Sequence, residues 1–529
     1  MSAEWDYIVV GAGHNGLSAA SAISKAGNSV LVVDHRPIIG GLSASHPYLD
    51  NSPDHHLSIG AMDDALMAPS SIVAEFGLKS RGYNPIPLDH PYGWMNEDGD
   101  TLLLFKDFNR TVSEIRRHST KDAQTYQDVR STIDFLMGSL DTFGAYPPDG
   151  MPRREILSAV LKVATNKQIR RTLSRMLSTS AFEMILETFE SEAMRGLWAF
   201  WSCMFAPATT QAGGVYLSGF GNVHRTGIFR PQGGMSGLMR AFERFITDHG
   251  GEIRLNARVA EIVVDSANRA TGVRLASGEV LGARHAVVAS CAPQVALGQL
   301  LPKGTLPRTI EEKLSFIPAN SVEIAPFKID VAAGSRLSYP RAQAKRDKID
   351  GADTRKTTFM SGTIEQHMAQ HEAARRGEDI DFVLPLYFSI LSGPDASIAP
   401  EGGDVLYLYA NSPLKPREGW AAKKAEFGER VMASAAQFID GLDSARGRIE
   451  TCPDDFIERF SAPRATYFHV DMIPSRLGMN RPGPGLGGYA TPVDGLYLAS
   501  AGSHPTGGVC GLPGKLGAER AMRDAARRR

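Results

Sequence analysis

The chain has 529 residues, of which 43% are hydrophobic and 22% are charged, and its formal net charge is −1. This length exceeds the range in which one hydrophobic core keeps growing, so we expect at least two domains. A nearly neutral chain lacks the broad basic surface that attracts phosphate backbones, which argues against nucleic acid as a partner. The four cysteines form no C-x-x-C pair, which argues against a zinc site and suits a reducing, cytoplasmic setting.

The chain opens with the pattern of a nucleotide-binding βαβ unit. The run "YIVV" predicts a buried parallel strand, "HNGLSAASAISK" a helix and "SVLVVD" a second strand. Between the first strand and the helix, Gly11 suits a tight turn, Gly13 the close approach of a pyrophosphate, and Gly16 close packing of helix on strand. Asp34 ends the second strand, where a carboxylate accepts hydrogen bonds from a ribose. The unit therefore predicts a bound adenine dinucleotide.

A second glycine turn favours FAD over NAD as that dinucleotide. The stretch "DHRPIIGG" places Gly40 and Gly41 shortly after Asp34, His35 and Arg36. It resembles the E-R-x-x-x-x-G-G extension of FAD-dependent oxidoreductases of the glutathione-reductase structural class, with Asp34 where that pattern usually has Glu. An NAD dehydrogenase requires no such turn.

The middle of the chain changes its pattern several times. Residues 76–220 are largely helical in pattern, and the next predicted helix ends at Gly250. Strand runs with turns at residues 265–268 and 277–278 then predict a small β-meander. Residues 301–460 alternate strand-like runs with polar loops. Near the C-terminus a short apolar strand precedes a glycine-rich turn and another helix.

Several segments together resemble the phytoene desaturase family, in its branch with a G-H-N-G-L loop. They are "VVGAGHNGL", "FRPQGGMSGLMRAF", "HVDM", "RPGPG" and "YATPVDGLYLASAGSHPTGGVCGLPG". Because they occur at both ends and in the middle, the whole chain is identified as a member of this family.

The resemblance implies an α/β fold with a glutathione-reductase-type Rossmann FAD-binding domain and an inserted α+β substrate domain. The FAD-binding domain is expected to be discontinuous and to comprise residues 1–75, 225–300 and 460–529. The substrate domain is expected to comprise residues 76–224 and 301–459.

The resemblance also implies which residues contact FAD. They are Gly11, Ala12, Gly13, His14, Asn15, Gly16, Asp34, His35, Arg36, Gly40, Gly41, Leu42, Val259, Gly502, Gly508 and Val509. No cluster of histidine and acidic residues has metal-ligand spacing, so no metal is predicted.

Catalytic residues are harder to identify, because a flavin that accepts a hydride does not require a strong acid or base nearby. Two candidates are His504, in the C-terminal flavin loop, and His55, after "NSPD". The alternatives are a positioning role for His504, with its ring bound to backbone, and a solvated loop position for His55. The aromatic segment from Gly196 to Pro207 is suited either to line a tunnel for an apolar substrate or to form ordinary helix core.

The sequence thus predicts an FAD-dependent oxidoreductase that desaturates or otherwise oxidises C–H or C–C bonds of an apolar, isoprenoid-like or conjugated small molecule. Oxygen or a quinone would accept the electrons. One alternative is a flavin-dependent isomerase that moves double bonds without net redox change, and another is a non-catalytic escort that binds prenyl groups or lipids. A cytoplasmic location is expected, with peripheral membrane contact and the oligomeric state left open.

Overall fold

A computed structural model describes residues 4–205, 219–380 and 382–528 of the protein. Its strands, in chain order, are β1 (Glu4–Val10), β2 (Val30–Val33), β3 (Ser45–His46), β4 (Leu57–Ser58), β5 (Pro85–Pro87), β6 (Tyr92–Met95), β7 (Thr101–Leu104), β8 (Phe229–Pro231), β9 (Glu252–Arg254), β10 (Val259–Val264), β11 (Ala270–Leu275), β12 (Val280–Ala289), β13 (Ile324–Ala333), β14 (Thr358–Met360), β15 (Leu386–Ile390), β16 (Asp404–Pro413), β17 (Ala445–Thr451) and β18 (Leu496–Leu498). Its α-helices are α1 (His14–Lys25), α2 (Ser71–Glu75), α3 (Phe108–Arg116), α4 (Thr120–Gly144), α5 (Arg153–Thr165), α6 (Lys167–Ser178), α7 (Ala181–Thr188), α8 (Glu192–Phe205), α9 (Gly221–Arg225), α10 (Met235–Asp248), α11 (Pro293–Gly298), α12 (Arg308–Leu314), α13 (Pro340–Arg346), α14 (Ile364–Arg375), α15 (Trp420–Ala435), α16 (Pro453–Phe460) and α17 (Leu512–Arg528).

The first sheet has the strand order β10-β11-β12-β1-β2-β9, with β18 also paired to β12. Strand β1 runs parallel to both β2 and β12, so it lies inside the sheet. Its side chains alternate between two cores, as a period of two requires. Tyr7 and Val9 pack with apolar residues of α1, α10 and α17, whereas Ile8 and Val10 pack with residues of the β10–β12 meander. This is the Rossmann-type α/β arrangement predicted from the sequence.

The second sheet has the order β17-β13-β16-β15-β14-β6-β7 and is antiparallel except between β14 and β6. Strands β6 and β7 come from the region whose pattern is largely helical, and the helical prediction is wrong for these residues. They form a hairpin whose turn includes Gly99 at φ +81°. All residues of both strands are buried, because helix α8 and the remaining strands enclose them.

The two sheets draw their strands from different parts of the chain. Strands of the first sheet lie within residues 1–75, 225–300 and 460–529, and those of the second within residues 76–224 and 301–459. The exact domain limits stay a prediction.

Helices α4 to α8 form a largely helical block, as the sequence predicts. Residues of α4, α7 and α8 pack into the same core as β6 and β7, whereas α5 contains no buried residue. Among the described helices, none is both long enough and apolar enough to cross a membrane.

Candidate functional site

The glycine loop lies at the carboxyl end of β1 and leads directly into α1. Gly11 adopts φ +104°, and its amide donates to the Val33 carbonyl at 2.8 Å. A Cβ atom on Gly16 would lie 1.8 Å from the carbonyl oxygen of Gly11, so only glycine fits there. At Gly13, by contrast, a Cβ atom would meet nothing within 4 Å. The space beside Gly13 is therefore open to a ligand, and the free amides of the first turn of α1 point toward it.

Asp34 holds this loop to the end of β2. One carboxylate oxygen accepts the Ala12 amide at 2.7 Å, and the other accepts the Arg36 amide at 2.8 Å. Each carboxylate oxygen keeps a further lone pair, so the same group can also accept a ribose hydroxyl.

The second glycine turn packs against the first. The Gly40 amide donates to the Ala12 carbonyl at 2.7 Å, and Gly40 forms a β-bridge with Gly13. The Arg36 guanidinium donates to the Gly41 carbonyl at 2.7 Å and lies over the Phe460 ring at 4.6 Å. The arrangement brings a buried cation beside the two loops.

A cavity runs along both turns, and many residues that the family resemblance assigns to FAD line it. They are Gly11, Gly13, His14, Asn15, Asp34, His35, Arg36, Gly40, Gly41, Leu42 and Val259. Ala12, in the loop, and Gly16, in the first turn of α1, lie behind this surface and shape the turn.

The C-terminal loop borders this cavity through Ala501, whereas Gly502, Gly508 and Val509 lie outside its lining. The Gly508 backbone, at φ +101°, faces the His14 ring. Burial lowers the pKa of His14 to about 4, although the Gly508 backbone acts in the opposite direction. Val509 packs on the core around α1, and a Cβ atom on Gly502 would lie 2.7 Å from Pro293. The contact between Gly508 and His14 thus joins the C-terminal loop to the start of α1.

Other cavity residues escaped the sequence analysis. They are, among others, Arg258, Ser290, Cys291, Gln299, Tyr467 and His469. Ser290 and Cys291 directly follow β12, and the rule that ligands bind at the carboxyl ends of parallel strands would have found them. Tyr467 and His469 lie in an irregular segment, for which no periodic signal exists.

Buried polar atoms of the cavity wall suit a polar ligand. They include Oδ1 of Asn15 and Nδ1 of His469, which have no hydrogen-bond partner in the described part of the chain. Such orphaned atoms are rare in folded proteins unless a ligand or water satisfies them. Together with the open space at Gly13 and the carboxylate of Asp34, they fit the pyrophosphate and ribose groups of FAD. FAD, when bound, supplies a hydride acceptor.

Neither catalytic candidate lines this cavity. Nε2 of His504 lies 3.1 Å from the Phe143 carbonyl and 3.0 Å from that of Tyr146, so this ring ties the C-terminal loop to the end of α4. Nε2 of His55 lies 3.0 Å from the Ala333 carbonyl, and the side chain is buried rather than solvated. These contacts match the positioning alternative for His504.

A second, inner cavity adjoins the first through Tyr467, which lines both. Its wall includes Cys203, Met204, Tyr409 and Asn411. The Tyr467 hydroxyl donates to the Met204 carbonyl and fixes the end of α8 at the junction.

The described aromatic residues of the segment on α8 form helix core. Trp198, Phe200 and Trp201 are buried in it, and only Cys203 and Met204, farther along the described part of the helix, line the inner cavity. The role of the segment as a substrate tunnel stays a prediction. The side chain of Phe205 and residues 206–207 lie outside the described part of the chain.

Comparison with known proteins supports a flavin enzyme. The family described as flavin containing amine oxidoreductase matches residues 16–368. Pyridine nucleotide-disulfide oxidoreductase domain-containing protein 2 of Mus musculus is 30% identical over 98% of this chain and 94% of its own. The lycopene-forming phytoene desaturase of Pseudescherichia vulneris is 26% identical over 96% of each chain.

A solved structure has a similar fold. An oxidoreductase from Methanosarcina mazei superimposes with a TM-score of 0.59 at 17% identity, covering 98% of this chain and 100% of that one. Because the family match spans more than half of the chain, the protein belongs to the flavin-containing amine oxidoreductase family and is a phytoene desaturase-like, FAD-dependent oxidoreductase.

Proposed function

We propose that the enzyme desaturates or otherwise oxidises an apolar, isoprenoid-like or conjugated molecule bound in the inner cavity. The observation that carries the proposal is the position of Tyr467, which borders both this cavity and the candidate FAD cavity. A molecule in the inner cavity would therefore lie next to the cofactor. The likeness to a phytoene desaturase supports the same class of substrate.

The surroundings of the inner cavity favour an apolar substrate over a charged one. Asp471, its acidic wall residue, is engaged by the amides of Asn320 and Ser321 at 2.6 and 3.0 Å. Burial raises the pKa of Tyr409 and of Cys203 well above their ordinary values, so both groups stay neutral. A protonated amine would find no uncommitted carboxylate among the wall residues of this cavity.

The chemistry needs little from the protein besides binding and the exclusion of water. FAD, when bound, would supply the hydride acceptor. Loss of a hydride from one carbon of the substrate and of a proton from its neighbour would leave a C=C bond, with the proton passing to the solvent outside the cavity. Oxygen or a quinone would be the final acceptor of the two electrons. The Tyr467–Met204 contact would hold the cavity wall in place during this reaction.

An anaerobic bleaching screen tests the proposal. The purified holoprotein is mixed without oxygen with acyclic isoprenoids and polyenes, and in parallel with primary amines, while flavin absorbance is followed. We expect bleaching by an apolar compound and none by the amines. Bleaching by amines alone would overturn the proposal.

A variant links the bleaching to the inner cavity. Cys203→Phe adds a ring to the wall and should block bleaching by substrate while leaving dithionite reduction intact. Ile349→Phe, at an exposed surface position, serves as the control. The isomerase alternative predicts turnover only after prior reduction, with no net bleaching, and the escort alternative predicts a colourless protein.

A further inference from the structure

One polar side chain of the inner cavity has an unused hydrogen-bond donor. Asn411, on β16, lines this cavity and is only 1% exposed. Its Nδ2 atom has no hydrogen-bond partner within the described part of the chain. A buried amide N–H without a partner is costly, so such atoms are rare unless a ligand or water satisfies them. The atom therefore requires an acceptor that a molecule in the cavity can supply.

The position of Asn411 in the strand does not itself require an asparagine. Residues two apart in a strand project from the same face of the sheet, so Asn411 shares its face with Tyr409. Leu408 and Ala410, on the other face, pack in an apolar core. Asparagine is depleted in strands, and a buried polar side chain is unfavourable unless it is paired. Packing alone would therefore favour an apolar residue at this position.

Three other polar side chains of the cavity wall already have partners inside the protein. Both carboxylate oxygens of Asp471 accept backbone amides. The side-chain amide of Asn320 donates to the Arg464 carbonyl at 3.0 Å, and its Oδ1 atom accepts a backbone amide at 3.2 Å. The Tyr467 hydroxyl donates to a backbone carbonyl. Asn411 differs from these residues because its Nδ2 atom is available to a ligand.

We propose that Asn411 determines substrate specificity by donating a hydrogen bond from Nδ2 to an oxygen atom of the substrate. The substrate would then be a neutral, isoprenoid-like molecule that carries a hydroxyl, ether or carbonyl oxygen, rather than a pure hydrocarbon. This inference rests on the proposed function and specifies its substrate class. A site that binds a substrate oxygen discriminates against the analogue without it, because the buried polar group of the site is then left unpaired.

The location of Asn411 separates the bound oxygen from the point of oxidation. The Tyr409 hydroxyl lies 3.4 Å from Oδ1 of Asn411 and is also within hydrogen-bond reach of Tyr467. Tyr467 borders the candidate FAD cavity, whereas Asn411 lines only the inner one. An oxygen held at Asn411 would therefore place a carbon farther along the molecule next to the cofactor, and not the carbon that carries the oxygen.

Binding of a matched series of compounds tests the inference. The series comprises geraniol, farnesol and geranylgeraniol, their methyl ethers, and the hydrocarbons with the same skeletons and no oxygen. Equilibrium dialysis measures their dissociation constants for the FAD-bound protein after anaerobic reduction by dithionite, since a reduced flavin cannot oxidise the ligand. Anaerobic bleaching of the oxidised protein by the same compounds reports on their oxidation.

The diagnostic quantity is the affinity for an ether or alcohol divided by the affinity for its hydrocarbon. Asn411→Leu removes the donor at similar side-chain volume and should lower both ratios by about tenfold or more. Comparison with the parent ratio cancels the difference in hydrophobicity between the compounds. Asn109→Leu, at an exposed position on α3, is the control and should leave the ratios unchanged.

Asn411→Asp provides a second variant, with thermal unfolding used to show that each one folds. It keeps the shape of the side chain but replaces the donor by an acceptor, so it should also lower the ether ratio. Parent-like ratios in the folded variants would overturn the inference, because the amide would then bind only water. A change confined to the alcohols would also overturn it, since an ether can only accept.

The two measurements distinguish failure of this inference from failure of the proposed function. Bleaching by the series with ratios that Asn411→Leu leaves unchanged would overturn this inference alone. No binding and no bleaching by any member of the series would overturn the proposed function and this inference together.

Discussion

The carboxylate of Asp34 accepts a hydrogen bond from the amide of Ala12 at 2.7 Å. The contact joins the end of β2 to the glycine loop after β1. The second carboxylate oxygen accepts the Arg36 amide, so one side chain shapes both turns that border the candidate FAD cavity. Hydrogen bonds to an ionised carboxylate are stronger than neutral ones and hold the loop in its shape before a ligand arrives.

We predict that Asp34→Asn weakens FAD binding by about tenfold to a hundredfold, or about 1.4–2.8 kcal/mol. The asparagine NH2 group must face either the Ala12 or the Arg36 amide, which places donor against donor. Titration of the deflavinated protein with FAD, followed by flavin fluorescence, measures the change. Asp248→Asn, which alters an exposed carboxylate paired with Arg81, is the control. Equal affinities in the two variants would contradict the role given to Asp34.

Two alanine substitutions should separate folding from cofactor binding. Gly13→Ala should leave the apoprotein as stable as the parent, because its Cβ meets no atom within 4 Å and its φ of −71° suits alanine. It should lower FAD affinity at least tenfold, since the methyl group occupies the ligand's space.

Gly16→Ala should destabilise the apoprotein, because its Cβ would overlap the Gly11 carbonyl. Urea unfolding of both apoproteins and FAD titration measure the two effects. Equal destabilisation of the apoprotein by both substitutions would disprove the distinction.

The glycine loop could be predicted from the sequence because its constraints are local. A buried strand, three spaced glycines, a helix and an acid within about thirty residues specify the geometry. The hairpin of β6 and β7 also carries a local signal, because Asp98 and Gly99 form a turn between two short apolar runs. Its pairing with β14, more than 250 residues later, has no local signal, and tertiary context decides it.

The histidines near the site show a similar limit to what can be predicted from the sequence. The sequence places His504 in a loop, but its role depends on the carbonyls of Phe143 and Tyr146, about 360 residues earlier. His469 reaches the candidate FAD cavity from an irregular segment with φ +62°. Contacts between distant segments of this kind require the folded structure.

We predict that His504→Ala lowers the free energy of unfolding by about 1–3 kcal/mol, because it removes the donor to the partly buried Phe143 and Tyr146 carbonyls at the end of α4. His504→Gln keeps an N–H donor at similar reach and should recover most of the loss. Urea unfolding of the FAD-bound protein measures both effects. Parent-like stability of His504→Ala would show that the contact does not hold the C-terminal loop.

The last prediction concerns acid sensitivity. His367 and His371 lie one turn apart on α14, and burial lowers the pKa of each to about 3, with a smaller contribution from the charge of His371 on His367 and of Arg375 on His371. Their ordinary pKa is 6.5, so between pH 6.5 and 3 the unfolded chain binds more protons than the folded one. The free energy of unfolding is therefore unaffected by these groups above pH 6.5 and falls below it, by about 1.4 kcal/mol per pH unit for each histidine.

Replacing both residues, as His367→Leu and His371→Leu, should make the decline in stability between pH 6.5 and 4 less steep. The slope is the diagnostic quantity, because leucine also changes the absolute stability by altering the packing against Phe200 and Phe182. Urea unfolding at several pH values gives the slope, and His249→Leu at an exposed position is the control. If the double variant and the parent lose stability at the same rate as the pH falls, these histidines do not bring about acid unfolding. The decline would then have to come from other buried groups, such as His14 and His469 at the candidate FAD cavity, whose pKa values burial lowers to about 4 and about 3.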